Sequence, residues 1–168
     1  MSYDVRYKMD TIRKLKGRSV TEWIGTELAV HQEEPIIWLK LSRGALQLYN
    51  LQPQFSDGSA IHIESGLDKK AEYFELSLCE VTSPLTVFQA DEGDIIRCST
   101  FSDLPTGNIE SVDIAFDVND KITQVLLTIE KYIITLSCGE VTFEGDELRT
   151  RKPQEFLIVE LQHLESVN

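Results

Sequence analysis

The sequence of 168 residues has few of the side chains that usually build metal or catalytic sites. Its only histidines and cysteines are His31, His62, His163, Cys79, Cys98 and Cys138. An odd number of distant cysteines argues against a disulfide framework or a zinc site, and it predicts buried thiols in a reducing compartment. We therefore expect neither a metal nor a cofactor.

Motifs for nucleotide binding or hydrolysis are also missing. There is no glycine-rich phosphate loop and no Gly-x-Ser-x-Gly sequence. Residues 117–120 begin like a calcium loop, but Ile122 replaces its glycine and Thr128 its bidentate acid. His62 and Glu64 fall on one face of a predicted strand, where a surface pair without a nucleophile is the simpler interpretation. We expect no catalytic residues, and we predict that the protein is not an enzyme.

Long apolar runs are lacking as well. No stretch approaches the roughly 20 residues needed to cross a membrane. The first 18 residues carry charges without an apolar region, which is unlike a secretory signal. Hydrophobic residues make up 42% and charged residues 26% of the chain, which is an ordinary globular mixture. These features predict a soluble, cytoplasmic protein with no membrane association.

Basic residues are scarce outside the N-terminal region. The net charge is −12, from 16 basic and 28 acidic residues, yet residues 1–18 carry a balance of +4. Residues 91–120, hereafter the acidic segment, contain eight carboxylates against Arg97 alone. Such a field repels phosphate backbones and attracts a basic protein. On composition alone, solubility is the simpler explanation of the acidity, and a surface that steers a partner is the alternative.

The hydrophobic pattern is mostly that of β-strands. Polar and apolar residues alternate over 74–78, 109–118 and 141–144, and 156–161 is almost wholly apolar. A short helix is predicted over 9–17, beginning at Asp10 and ending at Gly17. We predict a mainly β protein, α+β in part, with antiparallel sheets in two related halves and one or two short helices.

A possible internal duplication supports the two halves. Residues 124–138 align without a gap to residues 36–50, and each copy has the pattern strand, turn, strand. In the first copy the predicted strands are 36–41 and 45–49. The predicted organisation is an N-terminal half at 1–88, an acidic linker or loop at 89–108 and a C-terminal half at 109–168, together one compact unit.

Three short segments carry a resemblance to a known class of proteins: IRKLKGR at 12–18, WLKLSRGAL at 38–46 and LSCGEV at 136–141. With them, the chain resembles bacterial immunity proteins that neutralise basic nuclease toxins in competition between cells. The resemblance implies an antitoxin that binds and inhibits a basic toxin, without catalysis and without binding nucleic acid itself.

An acidic inhibitor would present carboxylates where the phosphates of a nucleic acid otherwise lie. We predict that the partner-binding residues form two clusters. They are Asp91, Glu92, Asp94, Asp103, Asp113, Asp117 and Asp120 in the first, and Glu144, Asp146 and Glu147 in the second. In the first cluster, the acids of 109–118 are expected to face outward as a charged ribbon.

Two other classes of function stay open from the residues alone. The chain would also suit a non-catalytic interaction or scaffold module for a different partner. An enzyme whose site is assembled from distant residues is the third possibility, for instance His62 with Cys79 or Cys138.

Overall fold

The computed structural model describes residues 3–30, 36–81 and 83–165. Within these ranges the chain forms one α-helix, a 3₁₀ turn and nine β-strands. In chain order they are α1 (Tyr3–Arg13), β1 (Ser19–Leu28), the 3₁₀ turn (Leu41–Arg43), β2 (Leu46–Phe55), β3 (Ala60–Leu67), β4 (Phe74–Val81), β5 (Ile96–Thr100), β6 (Gly107–Phe116), β7 (Ile122–Ile129), β8 (Tyr132–Glu144) and β9 (Glu147–His163).

The strands belong to one antiparallel sheet whose hydrogen bonding closes on itself. Its order is β4-β3-β2-β9-β8-β7-β6-β1-β5, and β1 also pairs with β2. Six strands therefore form a ring, β1-β2-β9-β8-β7-β6, closed by pairs such as Leu46 with Val159 and Val20 with Gly107. The β3–β4 hairpin extends from β2, while β5 extends from β1.

The hydrophobic core is formed by residues of the ring strands together with residues of α1, β3 and β4. Trp23 of β1 is fully buried and its indole Nε1 donates a hydrogen bond of 2.8 Å to the carbonyl oxygen of Pro105. Gly25, two residues further on, lies between β2 and β5. A Cβ atom there would lie 2.7 Å from the carbonyl oxygen of Asn50 and 2.8 Å from the ring of Phe101, so the close approach requires glycine.

Helix α1 packs its apolar face on the sheet. Met9 and Ile12 are buried on that face, as is Leu15 in the turn that follows. The predicted helix over 9–17 was wrong in its start, because Asp10 lies inside the helix and not at its beginning. The predicted end was closer. A turn follows the helix, and Gly17 takes a positive φ of 88°.

Charged residues join α1 and the strands beneath it; we call this group the α1 seam, comprising Asp4, Lys8, Asp68, Glu75 and Lys121. The Lys8 ammonium lies 2.7 Å from a carboxylate oxygen of Glu75 and 3.4 Å from one of Asp4. Lys121 approaches Asp68 to 2.8 Å. Since each lies within 4 Å of an opposite charge, the seam is a set of matched ion pairs.

The predicted mainly β fold with short helices is confirmed. The first predicted hairpin was wrong, because 36–40 has no regular structure and leads into the 3₁₀ turn. Leu39 is buried in a small cluster with Ala45, Val141 and Ile158, so its apolar surface is covered without strand pairing. The two aligned segments thus fold differently: 124–138 lies in the β7–β8 hairpin and 36–50 does not form a hairpin.

The predicted linker over 89–108 was wrong for Ile96–Thr100, which forms β5 and pairs with β1. Strands from both sides of that segment are also interleaved in the sheet, since β2 pairs with β9 and β1 with β6. The acidic segment thus begins at the end of an irregular stretch and continues through β5 and β6. No helix in the described ranges has the length and apolarity to cross a membrane.

Candidate functional site

The predicted partner-binding carboxylates are mostly exposed. All ten are exposed except Asp117, which is half-buried. Within the described ranges, no ion pair engages any member of the first cluster, from Asp91 to Asp120. An exposed carboxylate without a cation beside it keeps its full charge available to a partner. The surface therefore carries six exposed acids of this cluster without an ion pair, whereas the half-buried Asp117 lies near Lys121.

Four acids of the first cluster lie close to one cleft. Asp91 and Asp94 form a tight turn in which the Asp94 carboxylate accepts a hydrogen bond of 2.9 Å from the Asp91 amide. Glu92 is at the apex of that turn, and Ala90 just before it lines the cleft. Asp103, from the turn after β5, lines the same cleft. The structure therefore groups Asp103 with the turn at 91–94.

The other three acids of the first cluster lie elsewhere. Asp113 is exposed on β6, opposite Leu126 of β7. Asp117 lies beyond the end of β6, where its carboxylate accepts hydrogen bonds from the amides of Asn119 and Lys121. It caps a turn, so the predicted ribbon of outward acids was wrong for Asp117. Asp120 is exposed in the same turn with a positive φ of 58°.

The second predicted cluster forms the tip of the β8–β9 hairpin. Glu144 and Glu147 flank the turn and are both exposed, as is Asp146 between them. Arg149 approaches Glu147 to 2.8 Å and Glu144 to 3.4 Å. The tip is therefore partly neutralised, which distinguishes it from the first cluster.

A cleft lies beside Asp103. Its volume is about 690 Å³, and it lies between β5, the segment at 38–41 and the segment at 87–90. We call it the β5 cleft. Inside it, the buried Glu27 carboxylate accepts hydrogen bonds from Arg97 Nε at 2.5 Å, Arg97 Nη2 at 3.3 Å and Ser99 Oγ at 2.7 Å.

An aromatic ring completes this buried ion pair. The Arg97 guanidinium carbon lies 4.1 Å from the centre of the Trp38 ring, which is cation–π geometry. Arg97 is the single basic residue of the acidic segment, and Glu27 neutralises it. As a result Arg97 contributes little net charge to the cleft. The acids at 91–94 and 103 then supply most of the charge near its mouth.

His62 and Glu64 form the predicted pair on one face of β3. Gln52 is buried, and its side-chain oxygen Oε1 accepts a hydrogen bond of 3.0 Å from the backbone amide of Leu85. Because Oε1 is the acceptor, the side-chain nitrogen Nε2 of Gln52 is the donor to His62 Nδ1, at 3.0 Å. The other imidazole nitrogen, Nε2, then carries the proton and donates to the Glu64 carboxylate at 3.2 Å. Both imidazole nitrogens are thus engaged by neighbours.

The cysteines differ in exposure. Cys98 and Cys138 are buried, and burial raises the pKa of the Cys138 thiol to about 11. The prediction of a buried thiol was wrong for Cys79, which is exposed on β4 directly opposite His62. Because both His62 nitrogens already have partners, neither is free to take a proton from this thiol. In the described ranges, no group of three metal-binding side chains is assembled.

The other two histidines of the sequence are His163 and His31. His163 is stacked edge-on against Tyr132, with ring centres 5.1 Å apart. His31 lies outside the described residues.

The sequence did not reveal the β5 cleft. The sequence pattern around Glu27 does not indicate that its carboxylate is buried. Trp38 belongs to the predicted strand at 36–41, which does not form. The pair Val87-Phe88 is the one clue, since it is an apolar pair between a proline and the acidic turn. Its exposure is visible only in the fold.

Comparisons with protein-family models, with curated proteins and with solved structures found no match for this chain.

Proposed function

We propose that this protein binds a basic protein partner, and that the partner is a nuclease toxin whose nucleic-acid-binding surface it covers. The observation that carries the proposal is the row of exposed carboxylates in the acidic segment without ion-pair partners. Charges with no structural partner are suited to an external one. A nuclease has a basic groove for phosphates, so a protein with exposed carboxylates is a fitting competitor for that groove.

The resemblance to immunity proteins supports the same function. An inhibitor of this kind acts in the cytoplasm of the cell that needs protection, and it requires neither catalytic residues nor a cofactor. Long-range attraction between opposite charges also increases the rate of association, by about 10- to 1,000-fold at low salt. Fast association is valuable to an inhibitor that must bind a toxin before the toxin reaches its substrate.

The first test is capture of partners from a lysate of the source cell, at low and at high salt, with mass spectrometry of the retained proteins. We expect a basic protein that is retained at low salt and lost at high salt, because salt screens exposed charges. The purified partner should cleave RNA or DNA, and this protein should stop the cleavage. Retention of a partner regardless of salt would favour the scaffold module, and no basic partner at either salt would contradict the proposal.

A charge-reversal variant tests the role of the acidic segment. Asp91, Glu92 and Asp94 are replaced by lysine, and association with the captured nuclease is followed by stopped-flow fluorescence. We expect association to slow by about tenfold or more at low salt, with a smaller change in dissociation. The matched control reverses three exposed acids elsewhere, Glu22, Glu155 and Glu165. Equal slowing by both triple variants would show a general effect of net charge.

A further inference from the structure

Val87 and Phe88 line the β5 cleft, and Ile96 of β5 lies beside its lining residue Arg97; all three are exposed. Val87 is 49%, Phe88 50% and Ile96 37% exposed. Phe88 forms an antiparallel bridge with Cys98, hydrogen-bonded in both directions at 3.1 Å. Ile96 is two residues before Cys98 and so lies on the same face of β5, diagonal to Phe88. Phe88 and Ile96 therefore form one exposed apolar patch, and Val87 adds apolar surface within the cleft. Exposed apolar patches with a polar rim mark interaction sites.

The patch continues into the cleft. Val87 and Phe88 line it, together with Leu39 and Leu41 from the segment at 38–41 and Phe101, which directly follows β5. A cleft of about 690 Å³ with such walls has room for a large apolar side chain of a partner. The buried pair of Glu27 and Arg97 forms its polar part, and Arg97 is held there by Trp38.

The rim of the cleft determines the charge of the occupant. Asp91, Glu92 and Asp94 follow directly after the lining residue Ala90, and Asp103 lines the cleft itself. Lys40 is the one exposed cation of the lining, since Glu27 neutralises Arg97. Within the lining the exposed charges of Asp103 and Lys40 balance, and the three acids at 91–94 next to Ala90 make the rim acidic, which favours a basic occupant. An apolar centre with a charged rim is also the usual anatomy of a protein interface.

We propose that the β5 cleft is the docking site for the partner, and that it takes an extended basic segment in which an apolar side chain lies between lysines or arginines. The apolar side chain packs against Val87, Phe88 and Ile96, and the flanking cations meet the acids at 91–94 and 103. This inference rests on the proposed function for its biological partner. The β8–β9 tip and the turn at 117–120 are then outside the contact.

The docking site is tested with a defined probe, so that the partner need not be known. The probe is a synthetic peptide with a phenylalanine flanked by lysines, titrated into the isotope-labelled protein and followed by backbone amide chemical shifts. One control peptide has serine in place of the phenylalanine, and another has glutamates in place of the lysines. We expect shifts concentrated at 87–103, weakened by about tenfold with the serine peptide and absent with the glutamate peptide.

Variants of the protein sharpen the test. Phe88→Ser should weaken binding of the phenylalanine peptide by about tenfold and leave binding of the serine peptide unchanged. Val118→Ser is the matched control, because Val118 is the most exposed apolar residue and lies in the β6–β7 turn. Val118→Ser should leave the melting temperature unchanged, and Phe88→Ser, which removes a half-exposed side chain, should lower it only slightly. Ile96→Ser provides a second variant if Phe88→Ser fails to fold.

Three results would overturn the docking site: no binding of the probe, equal binding of the phenylalanine and serine peptides, or shifts centred on Glu144–Glu147 or 117–120. The proposed function is tested separately. If a basic nuclease is captured and its inhibition is unaffected by Phe88→Ser and Ile96→Ser, the function holds and the docking site is wrong. If the probe binds at 87–103 but no basic partner is captured, the docking site holds and the nuclease partner is wrong.

Discussion

The α1 seam and the acidic segment use charge in opposite ways. In the seam, Lys8 and Lys121 lie 2.7 and 2.8 Å from Glu75 and Asp68. In the acidic segment, the seven exposed carboxylates take part in no ion pair among the described residues, the half-buried Asp117 lies near Lys121, and the one arginine pairs with the buried Glu27. The difference teaches that total acidity is a poor guide to function. Acids paired within the fold contribute to its stability, whereas unpaired acids keep their charge exposed at the surface.

The largest expected effect comes from breaking the one ion pair of the acidic segment. Arg97→Leu leaves the Glu27 carboxylate buried with Ser99 as its remaining donor. We expect a loss of about 2–3 kcal/mol in the free energy of unfolding, because an uncompensated buried charge is costly. Urea denaturation followed by tryptophan fluorescence measures it. Arg149→Leu, which removes an exposed partner of Glu147, should change stability very little, and equal losses would contradict the comparison.

The next effect concerns Asp68 and has a defined dependence on pH. A hydrogen bond from Lys121, with others from the amides of Glu72 and Tyr73, holds the pKa of Asp68 at about 2, below its usual 3.8. A lowered pKa stabilises the fold above the usual value, and this contribution is lost as the pH falls from about 4 towards about 2.

Asp68→Asn should therefore lower the melting temperature at neutral pH by several degrees. The decrease in melting temperature between pH 4 and pH 2 should also be smaller in this variant than in the parent. Asp113→Asn, an exposed acid of β6, is the control and should leave both unchanged. Thermal unfolding at a series of pH values gives the answer. An Asp68→Asn curve parallel to that of the parent would show that Asp68 does not carry this acid sensitivity.

A smaller effect on stability is expected from the other cation of the α1 seam, Lys8. Lys8→Met removes the cation between Asp4 and Glu75 while keeping an apolar stem against the sheet. Because Lys8 is partly exposed, we expect a loss of about 0.5 kcal/mol, which high salt should reduce. Denaturation at two salt concentrations measures it. A loss as large as that of Arg97→Leu would mean that the seam is more deeply integrated than its exposure indicates.

The smallest effect is expected where charges have no structural partner. Asp91→Asn, Glu92→Gln and Asp103→Asn together should raise the melting temperature slightly, by about one degree at low salt, because repulsion between like charges falls. The gain should vanish at high salt. Thermal unfolding of the triple variant at both salt concentrations is the measurement. A clear destabilisation would show that these acids have a role in the fold after all.

Alternation predicted much of the sheet but little of the candidate site. Phe74, Leu76 and Leu78 lie on β4 as predicted, and the acidic turn at 144–147 is the β8–β9 turn. Alternation works there because one side of each strand faces the core. Trp38 and Leu39 have the same local pattern without forming a strand, since a stacked guanidinium and a small apolar cluster cover them.

The site depends on contacts that local sequence does not encode. Glu27 and Arg97 meet because β5 pairs with β1 across a long stretch of chain, and neither residue has a neighbour that predicts it. The acids of 91–120 form one group in sequence, yet the fold places Asp103 beside the β5 cleft and Asp117 in a turn beside Lys121. Charge was therefore predictable, and its arrangement was not.

The closed ring has a consequence for how the chain acquires its structure. β2 is joined to β9, so the pairing of Leu46 with Val159 cannot form until the chain has been made as far as β9. During synthesis on the ribosome, β1 to β4 can pair with one another, but the edge of β2 that pairs with β9 stays unpaired until β9 is made. Strand pairing between distant segments is also slow. A nascent chain released before β9 is made would therefore expose the unpaired edge of β2, and exposed strand edges promote aggregation.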